Sequence, residues 1–270
     1  MIAYGKLGGK ELGYASDLDL VFLYDEKEAQ TDAAHFPAQE VFSLLAKRMI
    51  NWLTTHTAAG TLFEIDTRLR PNGSAGFLVT SLGSFRKYQF REGDNAAWVW
   101  EHQALPRARF AAGNLQVAPQ FDAIRSDVLS QARDVAALRS EILSMRRKVH
   151  AGHPNPSTQF DLKHDAGGMV DIEFIVQFLI LAYAHQHPAL IGNLGNIALL
   201  GIAANAGLIP NESAIAVADA YRLLREQQHR LRLDGAEKTR VDLSLHPDLL
   251  QARTAVSALW QSIFQDTSNE

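Results

Sequence analysis

Asp17 and Asp19, two aspartates one residue apart, carry the first sign of chemistry in this sequence. They stand at the head of a strand-forming run, 18–24, in which side chains alternate between faces. Both carboxylates are therefore expected on one face, with Leu18, Leu20 and Phe22 on the other, against a core. Adjacent carboxylates repel unless a cation lies between them or one is protonated. Left unpaired in a buried strand they are costly, so a bound divalent ion is favoured over two solvated acids. Upstream lie Gly5, Gly8, Gly9 and Gly13. A glycine-rich turn offers backbone N–H groups to phosphate oxygens. Gly8-Gly9 alone marks only a turn, but seven residues between it and Asp17 let the chain bring both to one site. Further on, 62–70 alternates, with Phe63, Ile65, Thr67 and Leu69 on one face and Glu64, Asp66, Arg68 and Arg70 on the other. Asp66 is the natural third carboxylate, and an ion-pair ladder with its neighbours is the competing reading. Arg68 and Arg70 either serve that ladder or bind phosphate bidentately. Together these residues predict a site for Mg²⁺ and a nucleoside triphosphate.

The elements that must position them form a small mixed sheet. Residues 2–4 read as a first strand, followed by the glycine loop, the strand 18–24 and a charged loop 25–34. A helix is expected from Pro37 to about Thr57, with Val41, Leu45, Met49 and Trp52 on one face. The strand 62–70, a turn at 71–74 and a returning strand 76–80 complete the head. Beyond Ser81 the pattern turns helical, at 85–90, 96–105, 116–129, 135–149, 170–185, 196–206, 213–233 and 247–264, with 267–270 fraying. The fold class is α+β, with a head over 1–112 and an all-α helical bundle over 113–270. Only residues 1–4 precede the glycine loop, so the chain reads as a domain excised from something longer.

The 270 residues, 47% hydrophobic and 21% charged, suit a soluble globular protein. A net charge of −4 argues against a nucleic-acid surface. The longest apolar stretch, 174–184, is too short to span a bilayer, and no signal peptide is visible. The absence of cysteine excludes disulfides and fits a cytoplasmic location. His164-Asp165 has the form of a phosphohydrolase metal dipeptide, but His150, His153, His185 and His187 lack matching spacing and are assigned to the surface or core. Asp171 and Glu173, behind Gly167-Gly168, either favour a helix start or reach toward a nucleotide or a partner.

The segment from Gly5-Lys6-Leu7-Gly8-Gly9 to Ser16-Asp17-Leu18-Asp19 resembles the signature of the DNA polymerase β-like nucleotidyltransferase superfamily. More narrowly, it resembles the bacterial glutamine-synthetase adenylyltransferase family. The likeness continues through Glu64-Ile65-Asp66-Thr67-Arg68-Leu69-Arg70-Pro71, Gly73-Ser74-Ala75-Gly76, Trp98-x-Trp100-Glu101-His102-Gln103-Ala104-Leu105 and Arg107-Ala108-Arg109. It extends to Phe160-Asp161-x-Lys163 and Gly167-Gly168-x-x-Asp171-Ile172-Glu173-Phe174. Family enzymes carry two such units, one removing AMP and one adding it. Gly13-Tyr14, where the removing unit usually has Asn-Phe, makes this chain similar to the adding unit.

The resemblance implies AMP transfer from ATP to a tyrosine hydroxyl of glutamine synthetase, with release of pyrophosphate. Asp17, Asp19 and Asp66 are the implied catalytic residues and ligands of two Mg²⁺ ions. Gly8, Gly9 and Ser16 are expected to contact the β- and γ-phosphates, and Arg68 or Arg70 to neutralise the departing pyrophosphate. The helical part is expected to present the protein substrate and to receive signals from the PII protein and glutamine. The alternatives are the AMP-removing unit of the same family, and an inactive module that only binds glutamine synthetase or PII.

Overall fold

The strand at the head of the site forms because 20–24 offers an unbroken run of β-branched, aromatic and leucine side chains that a sheet can bury on both faces. In the computed structural model it is β2, Leu18–Tyr24. The structure describes residues 1–13, 16–29, 37–61 and 63–265. Tyr14 and Ala15, residues 30–36, Leu62 and residues 266–270 lie outside them. These include Tyr14 of the Gly13-Tyr14 pair, most of the charged loop's second half, and the end expected to fray.

β1 (Ile2–Ala3) pairs antiparallel with β2, joining Ile2 to Val21 and Ala3 to Leu20. β3 (Ile65–Asp66) runs parallel to the start of β2, with Leu18 opposite Ile65 and Asp19 opposite Asp66. β4 (Val79–Ser81) runs parallel to its end, and β5 (Arg109–Phe110) pairs antiparallel with β1. Of the described residues of the run 62–70, namely 63–70, only two become strand. The Arg70 guanidinium closes the rest into a turn by donating to the carbonyls of Thr67, Ser74 and Gly76 and to Thr67 Oγ1. Asn72 and Gly73 both take positive φ there. The strand that follows does not return along β3. It continues beside β2.

Three helices of the first unit bear on the site: α1 (Gly5–Gly8), which follows β1 directly; α2 (Glu26–Ala29); and α3 (Ala38–Leu53). α3 covers the face of β2 that holds Leu20 and Phe22, through Phe42, Ala46, Met49 and Ile50. That is an i, i+4, i+7, i+8 stripe. It is not the stripe expected, since Val41, Leu45 and Trp52 are exposed. Beyond the strands come α4 (Leu82–Gln89), α5 (Val99–His102) and α6 (Val117–Leu129). The Ser81 hydroxyl caps α4 by accepting from the Ser84 amide.

Two compact units divide the chain, Met1–Ser130 and Gln131–Glu270, later than the boundary expected after residue 112. The reason is α6. Phe121, Val128 and Leu129 are buried, Phe121 packs its ring 5.9 Å from that of Phe85, and Arg125 donates to the carbonyls of Leu105 and Pro106. This helix therefore belongs to the first unit.

The second unit holds α7 (Val135–Gly152), α8 (Met169–Tyr183), α9 (Asn196–Asn205), α10 (Asn211–Leu233) and α11 (Pro247–Phe264). The Asp134 carboxylate caps α7 by accepting from the amides of Ala136 and Ala137. α8 carries few polar side chains and is accordingly the central, buried helix. Among the described residues of the unit the strands are one short antiparallel pair, β6 (Phe160–Asp161) with β7 (Arg240–Val241). No helix among the described residues is long and apolar enough to cross a membrane.

Gly8 shows how tightly the glycine turn is built. A Cβ there would overlap the backbone carbonyls of Arg107 and Ala3, which cannot swing aside. Gly8→Ala is expected to destabilise the first unit by about 2–3 kcal/mol, the usual range for overpacking. Gly201→Ala, with nothing within 4 Å of the added carbon in the middle of α9, is the control and should be neutral or slightly stabilising. Urea unfolding of the two variants checks this, and equal stability of both would contradict it.

Candidate active site

β2 and β3 bring the predicted acids together by register. Asp19 and Asp66 face each other across a parallel pair, and Asp17 lies two residues before Asp19, just ahead of β2. Asp17 is exposed and Asp19 partly so, while Leu20, Val21, Phe22 and Leu23 beneath and beyond them are buried. The strand is thus fixed by its apolar side chains and ends in acids at the surface.

Asp66 is not free in this arrangement. Its Oδ1 accepts from the Arg68 backbone N–H at 2.7 Å and from Arg68 Nε at 3.1 Å. Its Oδ2 accepts from Nε at 2.9 Å and from Nη2 of the same guanidinium. These bonds from Arg68 hold the Asp66 carboxyl below the usual carboxylate range. The Arg68 side chain is 75% exposed and that of Asp66 only 14%. As placed, no three acidic or histidine side chains among the described residues form a cluster able to hold a metal. The ligand types nevertheless suit a hard divalent cation, because carboxylate oxygens on one strand face are what Mg²⁺ prefers. One of the three acids is occupied by a guanidinium instead.

The glycines hold positions different from those expected. The Gly8 N–H donates to Tyr4 O at 2.7 Å and the Gly9 N–H to Gly5 O at 3.0 Å, so both are used inside the turn. Arg109 reaches across from β5 and donates to the carbonyls of Gly8 and Leu7, both at 3.1 Å. Ser16 is buried, and its hydroxyl accepts from the Gly13 N–H at 3.0 Å. These residues shape the loop rather than offering donors outward. Arg70 is consumed by the 67–76 turn, which leaves Arg68 as the arginine beside the acids.

Gly5 is the site residue that spacing alone underrated. Its φ is +52°, and a Cβ there would collide with the carboxylate of Asp19. Only glycine allows the backbone and that carboxylate so close. The signal available in the sequence was its place directly after the first strand. A second missed feature is a buried network. The Glu101 carboxylate accepts from Tyr88 Oη at 2.8 Å and from the Trp98 N–H at 2.8 Å, while Tyr88 Oη accepts from the Asn72 N–H at 3.1 Å. Burial raises the Glu101 carboxyl and pushes Tyr88 up to about 12. This network anchors the turn that follows Asp66.

In the second unit Asp171 accepts from Arg146 Nε and from the Gly167 N–H, and Arg146 Nη2 donates to His164 O at 2.8 Å. Asp171 therefore ties α7 to the start of α8 as well as sitting in its first turn. His164 stacks on His153 with ring centres 3.9 Å apart, and Asp165 accepts from the Asp161 N–H and from Asn155 Nδ2.

Known proteins resemble the chain along most of its length. The profile of the glutamate-ammonia ligase adenylyltransferase family matches residues 1–124, and that of GlnD PII-uridylyltransferase matches residues 136–259. The chain is 58% identical over 97% of its length to the bifunctional glutamine synthetase adenylyltransferase/adenylyl-removing enzyme of Burkholderia mallei, covering 28% of that protein. It is 55% identical over 98% of its length to the enzyme of the same name from Aromatoleum aromaticum, covering 26% of it. For that from Nitrosomonas europaea the figures are 49%, 98% and 28%. The chain thus spans little more than a quarter of these relatives.

Proposed function

We propose that this chain, which belongs to the glutamate-ammonia ligase adenylyltransferase family, transfers AMP from ATP to a tyrosine hydroxyl of glutamine synthetase. The observation that carries this reading is the register that sets Asp19 opposite Asp66, with Asp17 two residues before Asp19, just ahead of β2. In the transfer, the tyrosine oxygen loses its proton to water and forms a bond to the α-phosphorus as the bond from that phosphorus to the bridging oxygen breaks, and pyrophosphate leaves. Asp17, Asp19 and Asp66 would hold the two Mg²⁺ ions, which when bound stabilise the entering and leaving oxygens. Asp66, a carboxylate at the register position opposite Asp19, is assigned to the cation. Gly8, Gly9 and Ser16 form the turn beside the triphosphate, and Arg68 is assigned to the pyrophosphate's charge.

The relatives' names include AMP removal as well as addition, which keeps that direction as the second reading. The Gly13-Tyr14 form supports addition. Given adenylylated glutamine synthetase, phosphate and uridylylated PII, the protein is expected to form no ADP. Appearance of ADP would assign it to the removing half. We assign the response to PII and glutamine to the second unit, a reading supported by its match to the PII-uridylyltransferase profile. A cytoplasmic location goes with these partners.

A further inference from the structure

The two arginines after Asp66 are held in opposite ways. Arg70 places its guanidinium on four acceptors of its own turn, with Nε, Nη1 and Nη2 all engaged, and so works as a fixed part of the loop. Among the described residues the Arg68 side chain donates to one residue, Asp66. That side chain is three-quarters exposed, so it can rotate into water without breaking any packing, whereas the Asp66 carboxylate cannot move away. The Arg68 backbone N–H also donates to Asp66 Oδ1. This bond survives departure of the side chain and keeps the carboxylate aimed at the β2 face. Asp17 and Asp19 add their own attraction for the guanidinium, whose charge lies within reach of all three acids.

A guanidinium bonded to both oxygens of a carboxylate fills the directions that a metal would need. Building on the carboxylate reading above, we propose that Arg68 is an exchangeable counter-ion. It neutralises the acids while the site is empty, competes with a divalent cation for Asp66, and is drawn off by the phosphates of the incoming nucleotide. Arg68 thereby makes metal and nucleotide binding mutually dependent. A free divalent ion must displace it unaided, while a metal–nucleotide complex brings the anion that takes it away. This is a positioning role, distinct from contact with the reacting atoms.

The test is binding, without the protein substrate. Mn²⁺ alone is titrated into the purified protein, followed by electron paramagnetic resonance of the free ion, for the wild type, Arg68→Gln, Arg68→Lys and Asp17→Asn. Circular dichroism melting confirms that each variant is folded. Arg68→Gln is expected to bind Mn²⁺ roughly tenfold more tightly than the wild type, within the usual range of coupling between two ligands. It should also bind a non-transferable ATP analogue more weakly and lose most of the mutual enhancement between the two. Arg68→Lys should fall between, since an ammonium cannot cover both oxygens. Wild-type binding that depends on Asp17 but is unchanged or weakened in Arg68→Gln would overturn the exchange while leaving the carboxylate site intact. No Asp17-dependent Mn²⁺ binding in any variant would overturn the carboxylate reading and the exchange with it.

Discussion

Asp19→Asn is expected to lower AMP transfer by about three orders of magnitude or more while leaving the melting temperature nearly unchanged. The substitution keeps shape but replaces one anionic oxygen with an amide that cannot ligate a cation. Metal stabilisation of a phosphoryl transition state is worth several kcal/mol, and each 1.36 kcal/mol is about a factor of ten in rate. Asp19 is the sensitive position because two elements fix it. Asp66 stands opposite it in register, and the Gly5 backbone lies against its carboxylate, where no side chain fits. The fold should survive because β2 is held by Leu20, Val21 and Phe22 rather than by its acids. Asp17→Asn should behave alike. Full transfer by either variant would remove the metal assignment.

The largest effect on stability is expected in the second unit, from Asp171→Ala. Arg146 and Asp171 are paired with side chains only 8% and 6% exposed, and the pair also secures Gly167 and the carbonyl of His164. Removing the acid strands a guanidinium away from water, at a cost of about 3–5 kcal/mol. It also releases the Gly167 N–H. Gly167 has φ +82°, and a Cβ there would meet Arg253 and Ser257, so this turn has little room to rearrange. Arg146→Met should cost a similar amount. The double variant should cost clearly less than the sum, because neither charge is then left alone. Denaturant unfolding of the four proteins measures the cycle, and additive effects would show that the pair contributes no coupling.

What the sequence made legible was what local periodicity controls. The strand 18–24 and the helices at 116–129, 196–206 and 247–264 all follow from spacing of apolar residues, and the structure has them within a residue or two. The failures have physical causes. Helix α3 carries two apolar stripes, and periodicity cannot say which one a sheet will cover. The structure buries Ala46, half-buries Phe42 against the same core, and leaves Val41 and Leu45 exposed. The alternation at 62–70 promised a long strand, yet the Arg70 side chain outcompetes the sheet for the carbonyls of that segment. Helix α6 joined the first unit because of Phe121 and Arg125, whose partners lie far back in the chain. The tight contacts of Gly8 and Gly9 with Arg107 and Ala3 depend on tertiary approach that no spacing reveals. Spacing puts Asp66 and Arg68 near each other, but that the guanidinium bonds both carboxylate oxygens is seen only in the folded chain.

The most direct measurement supplies ATP labelled at the α-phosphate, Mg²⁺ and unmodified glutamine synthetase to the wild type and to Asp19→Asn. Label is expected on a tyrosine of glutamine synthetase with the wild type, to disappear when Mg²⁺ is removed by chelation, and to be absent with Asp19→Asn. Transfer that persists without a divalent ion, or that is as fast with Asp19→Asn as with the wild type, would contradict a reaction centred on the acids of β2 and β3. So would nucleotide binding that depends on Asp19 and leaves glutamine synthetase unlabelled.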